Sequence, residues 1–331
     1  MPARPRSRSG AIDERRFHAW LQRNLPAGRE GLLPLGDDAA ALRPPPGRVA
    51  VLSVDSLVEG THFLPRSPPE RIGEAAAAVS LSDLAAKGAA PAALLLAVIL
   101  PSGTPQAWAQ KVSLGAERTM HRFGGQLVGG DTKPGPTLTV VSSILGWSLR
   151  GRLAPRSGAR PGDLLATTGT VGRGGAAAAR LGLGRHPSPR ALVAMLHVEP
   201  RVAEGIALGR FARAMLDTSD GIAEATRLLA EASHVRAELD EARLPLFSAL
   251  RGPELSRRER ERRAFFGGDY ELLCAIPSGK VAEAQRDVLA AGGRLSVVGR
   301  VSSGRGAWLR SGARVRPMPP AGWRPFARRR R

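Results

Sequence analysis

The acidic side chains are the residues in this sequence best suited to chemistry. The 331-residue chain has twelve aspartates, and eight stand in or beside small-residue turns or on an apolar helix face: Asp37, Asp38, Asp55, Asp83, Asp131, Asp217, Asp220 and Asp269. The other four, Asp13, Asp163, Asp240 and Asp287, read as surface or turn residues. Carboxylates with a pKa near ~4 are ionised at neutral pH, so gathering several without cations is strongly unfavourable. No lysine lies within the segments around residues 37–38, 55, 217–220 or 269. Hard divalent cations are the natural counter-charge: Mg²⁺ takes carboxylate oxygens at ~2.0–2.1 Å and keeps positions open for water and phosphate. Aspartate-bound Mg²⁺ ions bridging phosphates make a phosphoryl-transfer site. That reaction class holds on condition that the acidic segments converge in space.

The elements that must carry these acids follow from pattern. Val51 to Phe63, VLSVDSLVEGTHF, begins as an alternating apolar strand and is expected to run out at Asp55, handing Glu59, Gly60 and His62 to a loop. A strand and a polar turn is the plain reading of that stretch alone. Residues 70–88 read as an Ala-rich helix with Ile72, Ala76 and Val79 on one face, which Asp83 continues. A carboxylate there is costly unless it meets a cation or a metal. A helix over Asp13–Leu25, a strand over Ala92–Leu100 and a helix over Pro105–Arg122 are expected. Asp131 then follows two glycines that permit close backbone approach, and Thr137–Trp147 is β-rich.

In the second half a strand over Leu164–Thr168 leads through the Gly-rich stretch 169–175 into a helix from Ala176. Such a turn can cradle phosphate on backbone N–H groups, but this glycine pattern is weak and no Walker A motif is present. A helix over Pro200–Ala214 is expected next. Asp217 and Asp220 then stand at a strand end entering a helix over Ile222–Ala232, where helix capping is the plain alternative. A charged helix from Ser256, Gly267 to Glu271 entering a strand over Leu272–Ile276, a helix over Val281–Ala291, and strands at Leu295–Val301 and Ala307–Leu309 complete the chain.

Composition limits the function classes. Hydrophobic residues make up 43% and aromatics 4%, so the core must be Leu, Val and Ala. No apolar run approaches the ~20 residues of a membrane span, and MPARPRSRSG lacks the apolar segment of a signal peptide, so a cytoplasmic location is the default. One cysteine, Cys274, excludes an internal disulfide and a Cys-based zinc cluster. The net charge of +20 comes from 45 arginines and four lysines, and seven of those arginines lie at the ends. Steering of anionic substrates fits this charge. Nucleic-acid binding is the lesser reading, because aromatic platforms for bases are scarce.

Seven motifs, in order, resemble thiamine-monophosphate kinase: GDDAA at 36–40, SVDSLVEGTHF at 53–63, LSDLAAKGA at 81–89, GGDT at 129–132, PRSGARPGD at 155–163, LDTSDG at 216–221 and GGDYELL at 267–273. Each is short; their order and spacing make the resemblance specific. It implies an α/β (α+β) chain with the two-domain fold of the aminoimidazole ribonucleotide synthetase superfamily. The N-terminal domain, 11–152, would carry a mixed sheet pairing across a homodimer, and the C-terminal domain, 153–326, would be α+β. A basic tail at 1–10, expected to be disordered, and an Arg-rich tail at 327–331 flank them. The implied reaction is ATP-dependent phosphorylation of thiamine monophosphate to the diphosphate, in line and without a phosphoenzyme. By motif position, Asp38, Ser53, Asp55, Asp83, Asp131, Asp217 and Asp220 would bind Mg²⁺. Gly130, Asp131, Arg156 and Ser219 would contact ATP, and His62 and Trp323 the thiamine substrate.

Two departures matter. Gly268 stands where the family has a substrate-associated glutamate, with Asp269 one residue away, and Val54 stands where threonine is usual. The alternatives are another ATP-using member of the superfamily with a different acceptor, or a non-catalytic basic protein that binds nucleic acid. Selenophosphate synthetase needs a reactive residue near the N-terminus, whereas Cys274 lies in an apolar strand.

Overall fold

The structure, a computed structural model, describes residues 12–25, 39–149, 152–182, 193–194 and 196–322. Asp38, Trp323 and both arginine-rich tails lie outside the described residues. The chain divides into two compact units, Met1–Ser80 with Pro91–Trp147 and Leu192–His197, and Leu81–Ala90 with Ser148–Ala191 and Val198–Arg331.

The first unit is built on a four-stranded sheet. Helix α1 (Glu14–Asn24) starts where Asp13 accepts a hydrogen bond from the Arg16 N–H. Strand β1 (Ala50–Val58), helix α2 (Pro69–Ala85), strand β2 (Ala89–Leu100), helix α3 (Gln106–Arg122), strand β3 (Gln126–Pro134) and strand β4 (Thr139–Ser148) follow. The sheet order is β1-β4-β2-β3, with β1 antiparallel to β4 and β2 parallel to β3. Helix α2 is buried nearly all round, broader than the single apolar face its periodicity predicts. Small side chains explain this, because alanine lets neighbours approach from every direction. Gly73 and Gly115 let α2 and α3 cross backbone to backbone: a Cβ on either would collide with the other helix, at the carbonyl of Val112 or of Glu70.

The second unit holds a seven-stranded sheet in the order β11-β10-β7-β9-β5-β8-β6. Its elements are β5 (Asp163–Thr168), α4 (Arg173–Gly182), α5 (Val202–Leu208), β6 (Ala214–Asp217), α6 (Ile222–Ser233), β7 (Arg236–Asp240), α7 (Arg257–Ala264), β8 (Leu272–Pro277), α8 (Val281–Ala290), β9 (Leu295–Ser302), β10 (Gly306–Ser311) and β11 (Arg314–Pro317). The strand pairings in this sheet are antiparallel except that of β7 with β10. Leu165, Leu216, Ile222, Leu229, Leu239, Phe265 and Val298 belong to one apolar core. The run around Arg257–Arg263 is a solvated helix, as its alternating charge implies, with Glu259 paired to Arg262 and Arg263. The helix expected over Pro200–Ala214 is limited to Val202–Leu208, because the chain turns after Gly209 to enter β6.

Candidate active site

Two of the acids, expected at a strand end (Asp55) and after a glycine pair (Asp131), lie within strands. Asp55 stands in the middle of β1, opposite Ser142 of β4, so it is not where the strand runs out. Pairing with β4 carries β1 on to Val58, which local sequence does not reveal. Period-two alternation puts Ser53 and Asp55 on one face of β1, and Leu52 and Val54 on the other, 74% and 63% exposed. The Ser80 hydroxyl of α2 donates to Asp55 Oδ2 at 3.1 Å and lies 2.8 Å from the Ser142 hydroxyl.

Gly129, Gly130 and Asp131 lie within β3, beyond a register shift against Leu94 and Leu95. The close approach permitted at Gly130 is to the neighbouring strand: a Cβ there would collide with the Leu96 carbonyl. Asp131 is exposed and lies 2.8 Å from Lys133 Nζ; that ammonium holds the carboxyl below its ordinary range.

His62 closes a turn after β1. Its Nδ1 accepts from the Val58 N–H at 3.0 Å, so the neutral ring carries its hydrogen on Nε2. Burial lowers its pKa, outweighing that hydrogen bond. His62 is therefore a neutral Nε2–H donor near pH 7.

In the second unit the end of β6 gathers the most functional groups. Asp217 Oδ2 accepts from the Ser82 hydroxyl at 2.7 Å, and Oδ1 from the Ser219 hydroxyl at 2.9 Å. Burial raises the Asp217 pKa, and the Asp83 carboxylate raises it further. Lys87 is the residue that sequence reasoning missed. It lies in the LSDLAAKGA motif, and its Nζ donates to the carbonyls of Ala154 at 3.2 Å and Met215 at 3.1 Å. Burial, followed by the like charge of Arg156, lowers its pKa, while Asp217 and Asp83 act the other way. The Met215 N–H donates to the Pro155 carbonyl at 2.8 Å, which lays Arg156 alongside β6. Asp220 is raised by burial and partly restored by Arg156. Neither Asp217 nor Asp220 caps the following helix: the N-cap of α6 is Gly221, at φ +97°.

The Gly-rich turn before α4 does cradle an anion, and the protein supplies it. The N–H groups of Gly172 and Gly174 donate to Asp269 Oδ2 and Oδ1 at 2.7 and 2.9 Å. Asp269 therefore does not take over the role of the missing glutamate at 268, since its carboxylate is turned into this turn. Burial pushes its pKa up to about 6 against the two N–H bonds. Glu271 is equally enclosed, held by Arg201 at 2.7 Å through Nε and Nη2 and by the Thr168 hydroxyl at 2.8 Å. Cys274 is fully buried in β8 with its thiol pushed up to about 12, which removes it as a nucleophile.

Among the described residues, no group of three or more His, Cys, Asp or Glu is placed to hold a metal ion by itself. The donor chemistry around Asp217 still fits a hard cation. Its hydrogen-bond partners are hydroxyls, and the Asp83 carboxylate acts on it as a second oxygen donor of like charge.

Comparison with known proteins shows the family. Residues 36–148 match the AIR synthase related protein N-terminal domain, and residues 160–309 match the corresponding C-terminal domain. The thiamine-monophosphate kinase of Synechococcus elongatus is 37% identical over 309 residues, covering 83% of this chain and 89% of the relative. The crystal structure of thiamine-monophosphate kinase from Stenotrophomonas maltophilia superposes with a TM-score of 0.77 at 32% identity, covering 91% of this chain and 96% of that one. AaThiL complexed with AMPPCP and TMP superposes with a TM-score of 0.72 at 27% identity, covering 87% and 90%. With both domains matched in order and the acidic motifs on the elements just described, the chain belongs to the thiamine-monophosphate kinase family of AIR synthase related proteins.

Proposed function

We propose that this protein transfers the γ-phosphoryl group of ATP to thiamine monophosphate, giving thiamine diphosphate and ADP. The observation that carries this reading is the 37% identity to a thiamine-monophosphate kinase across 309 residues. The AaThiL structure with AMPPCP, an ATP analogue, supports ATP as donor. A terminal oxygen of the thiamine phosphate attacks the γ-phosphorus in line as the bond to the ADP oxygen breaks. The acceptor oxygen is already ionised, so no strong general base is needed.

Mg²⁺ belongs to the proposal, with Asp38, Ser53, Asp55, Asp83, Asp131, Asp217 and Asp220 as its holders; when bound it neutralises charge on the donor and acceptor phosphates. Arg156 contributes a fixed cation at the nucleotide, with Gly130, Asp131 and Ser219 as further ATP contacts. Ser82 and Ser219 orient the Asp217 carboxylate. Lys87 is tied to two backbone carbonyls and fixes the segment carrying Arg156 against β6. By motif position His62, Gly268 and Trp323 are the residues proposed for the thiamine substrate, and His62 has an Nε2–H available to donate. A homodimer is also proposed, supported by the exposed Leu52 and Val54 on the edge strand β1. Among the described residues no helix is long and apolar enough to cross a membrane, which suits the cytoplasmic location proposed for an ATP-using enzyme.

The test is ADP release by purified protein with ATP and Mg²⁺, with and without thiamine monophosphate, free thiamine serving as the control acceptor. Release that requires thiamine monophosphate and yields thiamine diphosphate is the expected result. ATP binding without such release would reject the acceptor and direct the search to other phosphate acceptors.

A further inference from the structure

We propose that Asp269 is a positioning residue for the phosphate acceptor: seated in the N–H cradle at the start of α4, it holds the Gly267-Gly268 segment in place. The proposal rests on reading Gly268 as substrate-facing and deepens it.

Both carboxylate oxygens of Asp269 are used, one by each N–H of Gly172 and Gly174, and its own carbonyl accepts from Arg173 Nη2 at 3.2 Å. The residue is 2% exposed, and the helix start supplies partial positive charge to match it. The two segments lie backbone to backbone: a Cβ on Gly174 would collide with the Gly267 carbonyl oxygen. Arg173 and Glu271 are the charged groups that act on Asp269, with opposite sign.

The segment held this way continues into the site. The Gly268 N–H donates to the Ser219 carbonyl at 2.7 Å. The Thr218–Asp220 loop on the other side has bonds of its own. Thr218 N–H donates to the Glu271 carbonyl at 2.8 Å, Gly221 N–H to the Thr218 carbonyl at 2.9 Å, and Glu271 N–H to the Thr218 hydroxyl at 3.0 Å. Loosening Asp269 therefore frees the Gly268 side and leaves the Asp217–Asp220 side in place. The defect should fall on the acceptor and spare ATP.

Asn cannot substitute, because it has one acceptor oxygen and its NH₂ would face the second N–H. Kinetics of Asp269→Asn, Asp269→Glu and Gly174→Ala test this, with limited trypsin cleavage after Arg173 followed by mass spectrometry. In Asp269→Asn the KM for thiamine monophosphate should rise about tenfold, with kcat and the KM for ATP within threefold. Gly174→Ala, which wedges the segments apart without touching the carboxylate, should reproduce that split, and Asp269→Glu should recover part of it. Cleavage after Arg173 should be at least tenfold faster in Asp269→Asn. Folded variants with a wild-type KM for thiamine monophosphate, or with kcat and the KM for ATP altered alone, would overturn the proposal. A wild type that ignores thiamine monophosphate would overturn the acceptor reading, and Arg173 cleavage would still decide the clamp: equal rates in wild type and Asp269→Asn would overturn it.

Discussion

Restoring an acid at position 268 is the most informative perturbation of the proposed substrate site. Gly268→Glu returns the glutamate that the motif otherwise carries. The space exists: a Cβ on Gly268 would meet only the Gly174 Cα at 3.5 Å, an ordinary van der Waals contact. The backbone is the obstacle, because Gly268 has φ +75° and a left-handed L-residue costs roughly 1–2 kcal/mol. At about 2–4 °C per kcal/mol, Tm should fall by roughly 2–8 °C. Against that, a carboxylate facing the cationic thiamine ring system makes a charge-assisted interaction of roughly 1.5–3 kcal/mol. Gly268 is half-buried, so solvent screening favours the lower end, about a tenfold decrease in KM at about 1.4 kcal/mol per decade. The assay is ADP release against thiamine monophosphate concentration at saturating ATP and Mg²⁺, beside a thermal melt of the same preparation. The reasoning predicts a lower KM, an unchanged kcat and a lower Tm together. A folded Gly268→Glu protein whose KM is unchanged or higher would refute the placement of position 268 at the substrate.

Asp217→Asn should lower turnover more than a hundredfold and remove the Mg²⁺-dependent rise in Tm. In EDTA it should be at least as stable as wild type, because the Ser82 and Ser219 hydroxyls can reorient and the repulsion from Asp83 is gone. Arg201→Met should cost about 3–5 kcal/mol in urea unfolding, because it leaves the Glu271 carboxylate, 3% exposed, without its bidentate partner. Adding Glu271→Gln should recover much of that loss. Asp269 sets a pH dependence. Its folded pKa is raised from 3.8 to about 6, so the native state holds the proton more tightly than the unfolded chain. The resulting stabilisation is present below pH ~4 and lost as pH rises through about 6, a change of about 3 kcal/mol. The deficit of Asp269→Asn relative to wild type, measured by urea unfolding, should be larger at pH 4 than at pH 8.

The chain itself determined which residues are available for chemistry and much of the local structure. Period-two and helical spacing located β2, α3, α6 and α8 to within a few residues, since these depend on side chains adjacent in sequence. Small-residue turns marked Asp217 and Asp269 as acids out of the ordinary. Tertiary structure decided what those acids touch. Asp55 and Asp131 became strand residues because β4 and β2 offer hydrogen-bonding edges that no local pattern records. Strand β7 departs from its local pattern for the same reason, as its partners β9 and β10 lie far along the chain; β11 is a four-residue strand that gains its structure by pairing with the neighbouring β10. The Gly-rich turn before α4 showed a capacity to bind an anion, but only folding brought the anion, from Asp269, 97 positions away in the chain from Gly172. Lys87 stands in the LSDLAAKGA motif with no role legible from its neighbours until the fold sets the carbonyls of Ala154 and Met215 against its ammonium. Residue type and spacing are local properties; the partner of a charge or of a strand edge is set by chain closure over tens of residues.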